Sequence, residues 1–396
     1  MTAASAPAPA RLAVVPIDAT TAARGIVVAA LLLVMPLTGA AIGRGNIVEP
    51  TDTETVIKLA IGFAALMASM ILSPPATSGT HIRDRSLPLL CLIGLGVLGL
   101  LTAPFAVNVP AALIDSLLLI LAVAAIGKLA FDIGTERFLQ TLVFTSAGLM
   151  VVGAGVARFF EADNSLFPVD SGFGGVDRFS GVFADANTLG QTAAVGVLAA
   201  LVCWRHYRAG PLLQLAGLGC VGSLLISQSR TAAVALALAV VLALVRSGKG
   251  RILLLAGVVI VGIAASTVLT SSDLATGAWT RSGRIEEVTT LTGRTSVWKA
   301  TVGRVIERPV VGFGAGSSPR TMSEEVQAGR IVWPALHAHN AALQALLTTG
   351  LVGLGLLVAA VLAWFASERN RLLDPFVWLV ILGTTTEALL NRAPST

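Results

Sequence analysis

The sequence predicts an all-α, polytopic integral membrane protein with about 11–12 transmembrane helices and one large helical loop. Three observations carry this. The 396-residue chain is 55% hydrophobic and only 12% charged, with a mean hydropathy of +0.83, whereas soluble domains carry roughly 25% charged residues. The deficit of charge runs the whole length, so no soluble half is joined to a membrane half. The apolar runs are continuous over about 17–25 residues, the length that crosses hydrocarbon as a helix. They lack the period-2 alternation of a membrane barrel. A chain in lipid must satisfy its own backbone, which leaves helices.

The elements follow in order. The first 24 residues, "MTAASAPAPARLAVVPIDATTAAR", are Ala/Pro-rich and read as a disordered tail before an uncleaved first span. Apolar runs then fall at about 25–42, 57–74, 87–105, 109–129, 137–157, 188–204, 211–227, 230–246, 251–269, 338–366 and 374–391. The 338–366 run is long enough to tilt strongly or break, and the last is short and carries Glu387. The chain thus divides into the tail at 1–24, an N-terminal bundle at 25–270, a loop at 271–337 with two short helices, and C-terminal helices at 338–396. Cys91, Cys203 and Cys220 lie in or at the ends of apolar runs and read as core or lipid-facing thiols. The net charge of +5 is small for this length and points to basic loops on a membrane, not to nucleic acid.

Alternate loops are basic: "HIRDR" at 81–85, Lys128 to Arg137, "WRHYR" at 204–208, "RSGKGR" at 246–251 and "SERNR" at 367–371. By the positive-inside rule that face is cytoplasmic, and the N-terminus lies there too. The opposite, periplasmic face then receives the 158–187 loop, the "SQSR" turn at 227–230 and the long loop at 271–337.

These segments hold the polar residues that point to chemistry. In "DRFSGVFADANTLGQTAA", Arg178 and Asn187 are candidate ligands for an anionic or sugar group, while Asn187 and Thr188 read equally as caps of the next helix. Arg230 opens an apolar helix; it reads either as a snorkelling arginine or as a phosphate ligand, since its fork and the helix dipole suit an anion. "LTGRTSVWKATVGRVIERP" reads as an amphipathic helix with Thr292 as N-cap and Pro309 at its end. Arg294 in its first turn opposes the dipole, which favours a ligand role. "VGFGAGSSP" reads as a flexible turn before a second short helix that Ser318 caps, with Pro319 at its first position. "LHAHNAALQALLTTG" puts His339 and Leu343, and Asn340 and Gln344, at helical i, i+4 spacing, with His337 ahead of the helix. A neutral histidine near its ordinary pKa of about 6.5 suits general-base work.

Taken in order, "SRTA", "GRTSVWKA", "GFGAGS" and "HAHNAALQALLTTGLVGLGLL" resemble the O-antigen ligase and polymerase superfamily over roughly residues 170–365. The resemblance implies a GT-C-like glycosyltransferase of the bacterial inner membrane with a periplasmic active site. Its donor is a glycan on undecaprenyl pyrophosphate, and the ligases pass that glycan to the lipid A-core oligosaccharide. No nucleotide sugar, cofactor or metal is implied. Carried over, His339 is the general base, and Arg230 and Arg294 hold the pyrophosphate; His337, Arg178, Asn187 and Asn340 are further candidates. A polymerase or a protein O-glycan ligase of the same superfamily, and a polyprenyl-glycan flippase, remain open alternatives. The flippase needs polar groups near the midplane, where Asp115 is the main candidate.

Overall fold

The computed structural model describes residues 86–160, 179–181, 183, 186–207, 209–246, 294–331, 335–367 and 371–384, together with 60, 63, 64 and 66–68. Every regular element among them is helical. The helices are α1 (Ser86–Thr102), α2 (Val109–Phe160), α3 (Ala186–His206), α4 (Pro211–Ser227), α5 (Arg230–Arg246), α6 (Arg294–Glu307), α7 (Ser318–Gln327), α8 (Ala341–Ala366) and α9 (Asp374–Thr384). Five stretches are long and apolar enough to cross a membrane: Leu87–Phe105, Val109–Lys128, Ile133–Gly155, Ala186–His206 and Ala341–Ala366; α4, α5 and α9 are shorter apolar helices. The predicted runs at 25–42 and 251–269, the tail, Glu387 and His81 lie outside the described residues.

Sequence dictates how these helices meet. Their outward positions are large and apolar, as at Leu90, Leu101, Val151, Leu212, Leu218 and Leu362. The buried positions are often small or hydroxylated: Ala112, Ser116, Thr145, Ser146, Ala194, Ala232 and Ser223. This inverts the soluble pattern and is how helices pack when lipid removes the hydrophobic drive between them. Serine hydroxyls turn inward to their own helix, as Ser116 Oγ does to the Ala112 carbonyl at 2.6 Å, so no hydroxyl is left facing lipid by that residue.

Two features of the layout turn on glycines. The expected loop between Lys128 and Arg137 is instead continuous helix interrupted at Gly134, whose φ of 75° is open to glycine. The long run at 338–366 breaks, as one of its two expected outcomes, at Gly350 with φ 64°. The segment 309–314 pairs with four backbone groups beside that break: Leu351 and Val352 N–H donate to the Pro309 and Val310 carbonyls (2.8 and 3.2 Å), and Phe313 and Gly314 N–H donate to the Leu347 and Thr348 carbonyls (2.8 and 2.9 Å). A Cβ at Gly350 would overlap the Val310 carbonyl group, so the two backbones meet because no side chain stands there.

Contacts fix which ends lie together. Gly190 near the start of α3 lies against the Ser227–Ser229 turn, and Leu149 packs with Phe179, Phe183 and Leu189. The segment 313–316 touches Ala106, Ala111 and the start of α8. At the other end Leu139, Cys203, Tyr207 and Leu372 share one cluster, and Phe365 at the foot of α8 stacks on Trp378 at 5.1 Å. The starts of α3, α5 and α8 and the helices α6 and α7 therefore share one end of the bundle. The basic residues Arg137 and Arg205 lie at the opposite end.

Candidate functional site

The site is built from the segment that joins α7 to α8. The helix of α8 starts at Ala341, later than the spacing alone suggested. Asn340 is extended and caps it: its Oδ1 accepts the Leu343 N–H at 3.0 Å. His339 precedes the cap in the left-handed region, φ 49°, so it does not share a helical face with Leu343. His337 is buried and His339 half-buried, with ring centroids 6.5 Å apart at 74°.

Gln344 holds this loop in place. It is 1% exposed. Its Oε1 accepts the Ala338 N–H at 2.9 Å and the Ser318 hydroxyl at 3.2 Å, and that hydroxyl also lies 2.9 Å from the Leu336 carbonyl. Ser318 is thus a tie to the histidine loop and not the cap of α7; Ser317 stands at the cap position, and its side chain goes to the Gly314 carbonyl. The glycines of 312–316 approach α8 and residues 106–115 closely, where the sequence suggested only a flexible turn.

Arg294 is the first residue of α6. One turn on, Val297 is fully buried against Met322, Ala335 and Leu347, which docks this helix beside the histidine loop. The predicted stripe is narrower than expected, for Val302 and Ile306 face outward while Val297, Ala300 and Thr301 face in. The cap residue Thr292 lies outside the described residues. A buried carboxylate clamps the unit: Glu325 takes Arg304 Nε at 2.5 Å, and Arg330 Nε and Nη2 at 2.5 and 2.7 Å. The Arg330 guanidinium bonded to it, with Arg304 beside, holds the Glu325 carboxyl below the usual carboxylate range against the opposing effect of burial. Glu325 carries no site signal in the sequence, where Ser318 and Gln344 stand only as a helix cap and a helical-spacing partner of Asn340.

Arg230 opens α5 as expected, exposed at the end of the tight turn Gln228–Ser229. Asn187 lies in the first turn of α3, which begins at Ala186, so Asn187 and Thr188 are inside the helix and not before it. Arg178 lies outside the described residues. The structure joins His337, His339, Asn340 and the Arg294 helix into one packed unit, and gathers Asn187 and Arg230 at the adjoining starts of α3 and α5. Asp115 sits near Gly316 at the same end as these groups.

Apolar spanning helices with polar groups gathered at one end define an integral membrane protein. Residues 215–382, from within α4 to within α9, match the family model described as O-antigen ligase. The match includes Arg230, Arg294, His337, His339 and Asn340. The exopolysaccharide production protein ExoQ of Rhizobium meliloti (strain 1021) is 28% identical over 250 residues, 57% of this chain and 54% of that relative. The chain thus spans about half the length of the curated relative it matches.

Proposed function

We propose that the protein transfers an O-antigen glycan from undecaprenyl pyrophosphate to a sugar hydroxyl of the lipid A-core oligosaccharide, on the periplasmic side of the inner membrane. The observation that carries this is the packing of the histidine loop against the helix that begins at Arg294, at the same end of an apolar bundle as the helix start that holds Arg230. His339 takes the proton of the acceptor hydroxyl. The hydroxyl oxygen forms the new bond to the anomeric carbon, the bond from that carbon to the phosphate oxygen breaks, and undecaprenyl pyrophosphate leaves with the electron pair. Arg230 and Arg294 stabilise the charge that grows on it, the kind of interaction on which catalysis most depends. His337, Asn187 and Asn340 complete the surroundings, with Asn340 acting through its cap, and Arg178 is a further candidate ligand by its place in the sequence.

A second reading has one observation behind it. The relative is named for exopolysaccharide production, which favours a polymerase that passes the glycan to another repeat unit. Purified protein given an undecaprenyl pyrophosphate glycan and rough lipopolysaccharide distinguishes them. Product on the lipid A core supports the ligase, and lengthening of the carrier-bound glycan supports the polymerase. Lipid movement without product supports a flippase and refutes both. Because His339 is left-handed, His339→Asn is the better test of the base, since asparagine tolerates that conformation. It is expected to accumulate normally and lose transfer; wild-type transfer refutes the assignment. Arg230→Lys and Arg294→Lys are expected to lose most activity with the bidentate fork.

A further inference from the structure

Among the described residues of the loop, four large apolar side chains stand exposed. Val302 and Ile306 share a face of α6 at i, i+4 spacing, and Val310 and Val311 follow in the segment after it; Ile306 is 73% exposed. This surface adjoins the bundle. The Leu351 and Val352 N–H groups that bond to the Pro309 and Val310 carbonyls belong to α8, and both side chains are exposed on that spanning helix. Arg308 Nη1 donates to the Phe105 carbonyl at 3.2 Å, and Phe105, 76% exposed, is the last residue of a spanning stretch. The apolar face of the loop is therefore continuous with the lipid-facing surface of two spans. Scattered exposed apolar residues need no explanation, but a contiguous patch marks an interaction surface.

Charge says what covers it. Phe105 and Val107 flank the turn between the stretches Leu87–Phe105 and Val109–Lys128, so that turn marks the edge of the hydrocarbon. Two arginines reach this edge: Arg308 at the Phe105 carbonyl, and Arg320, whose Nη1 donates to the Val107 carbonyl at 3.5 Å. The Arg308 guanidinium also lies 5.0 Å over the Phe313 ring, and Arg320 Nε stands 3.8 Å from Glu324. Both stay exposed all the same, the Arg320 side chain at 65%. The exposed carboxylate of Glu307 on α6 is taken by Arg304 at 3.3 Å. Guanidinium groups at headgroup level beside an apolar helix face suit lipid phosphate. We infer that α6 and residues 308–311 are seated in the bilayer surface, with Val302, Ile306, Val310 and Val311 among acyl chains and Arg308 and Arg320 on phospholipid phosphates. A second copy of this chain would have to displace the lipid that already lies against Phe105 and Leu351. The same docking holds the histidine loop, which packs on α6 at Val297, at headgroup depth.

Nitroxide labels on the full-length protein in phosphatidylglycerol nanodiscs test this. Ile306→Cys and Val310→Cys are each made in a Cys91→Ala background, where Cys203 and Cys220 remain fully buried. Val358→Cys, at an exposed position of α8, is the bilayer reference. Both loop labels are expected to collide more with oxygen than with a water-soluble nickel chelate, as sites about 5–10 Å into the headgroup boundary do. Preference for the chelate at either position means that water covers the face, and overturns the docking. Low collision with both reagents there, while the Val358→Cys label stays open to oxygen, means that a second copy or another protein covers the face, and overturns it too. Arg308→Gln combined with Arg320→Gln is expected to lower the oxygen-to-chelate ratio at Ile306→Cys at least about 3-fold, since each arginine near an anionic surface adds to the attraction. The ratio at Val358→Cys should not move. An unchanged ratio at Ile306→Cys overturns the contacts of the two arginines with phosphate.

Discussion

Replacing Glu325 by Gln tests whether the carboxylate clamp fixes the two loop helices. The side chain is 3% exposed and meets Arg304 Nε at 2.5 Å and Arg330 Nε at 2.5 Å. Glutamine keeps one acceptor and turns an N–H₂ toward a guanidinium, so at least one of these bonds becomes a donor facing a donor. Breaking a buried pair costs about 3–5 kcal/mol. Both arginines retain some exposure, 18% and 57%, and solvent screens what remains. We take about 2 kcal/mol for Glu325→Gln, which is a roughly 30-fold rise in local opening. Amide hydrogen exchange over residues 318–331 of the full-length protein in nanodiscs reads this directly. Protection within 3-fold of wild type would refute the clamp. The pH dependence has a definite sign. The folded carboxyl is depressed by Arg330 and Arg304, so its stabilisation is present above the ordinary value of 4.5. It fades as the pH falls below 4.5 through the lower folded value. The wild type should therefore approach Glu325→Gln at low pH, and the two should differ most above pH 5.

Two further outcomes follow from the same geometry. Gly350→Ala places a methyl in the Val310 carbonyl and an alanine at φ 64°, so a loss of at least about 3 kcal/mol is expected, read as poor yield and aggregation on size exclusion; normal accumulation would sink the account of the break. Gln344→Leu leaves the Ala338 N–H without its acceptor, a cost of about 1–3 kcal/mol, while Ser318 keeps the Leu336 carbonyl. Transfer should fall more than the thermal midpoint suggests, with pyrophosphate affinity unchanged, because the loss is in the placement of His339; equal loss of binding and transfer would contradict this.

The described spans were legible because apolar length is a strong local signal, while for α8 that length allowed tilt or break alike and did not point to Gly350. Arg230 at the start of α5 and Arg294 at the start of α6 were legible for the same reason: a charge at the head of an apolar or amphipathic helix is conspicuous. The histidine loop was not. Helical spacing drew His339 onto α8, but Asn340 competes for the cap, and its side chain satisfies the Leu343 N–H only from extended backbone. Ser318 likewise looked like a cap from its position before a proline, yet it bonds to residues 18 and 26 positions away. Bonds at that range leave no trace in spacing.

The loop and the bundle are one object, and the reason is the bilayer. A straight helix of 26 residues is about 39 Å long, beyond a hydrocarbon core of roughly 30 Å. Breaking it at Gly350 shortens the straight run to residues 351–366 and lets residues 341–349 change direction. The break exposes backbone groups near the depth where water is scarce, and irregular backbone survives there when protein surrounds it. Residues 309–314 are that protein. Four hydrogen bonds hold them in the break, and the same segment runs directly into Ser317 and Ser318. Ser318 then bonds to Gln344, one turn into the helix that follows the histidines. Hydrogen bonds at Leu336 and Ala338 therefore tie the loop that carries His339 to the segment that fills the break. Rigidity of the proposed base follows from the need to satisfy backbone in lipid, and a variant that closes the glycine break must disturb the histidine loop as well as the span.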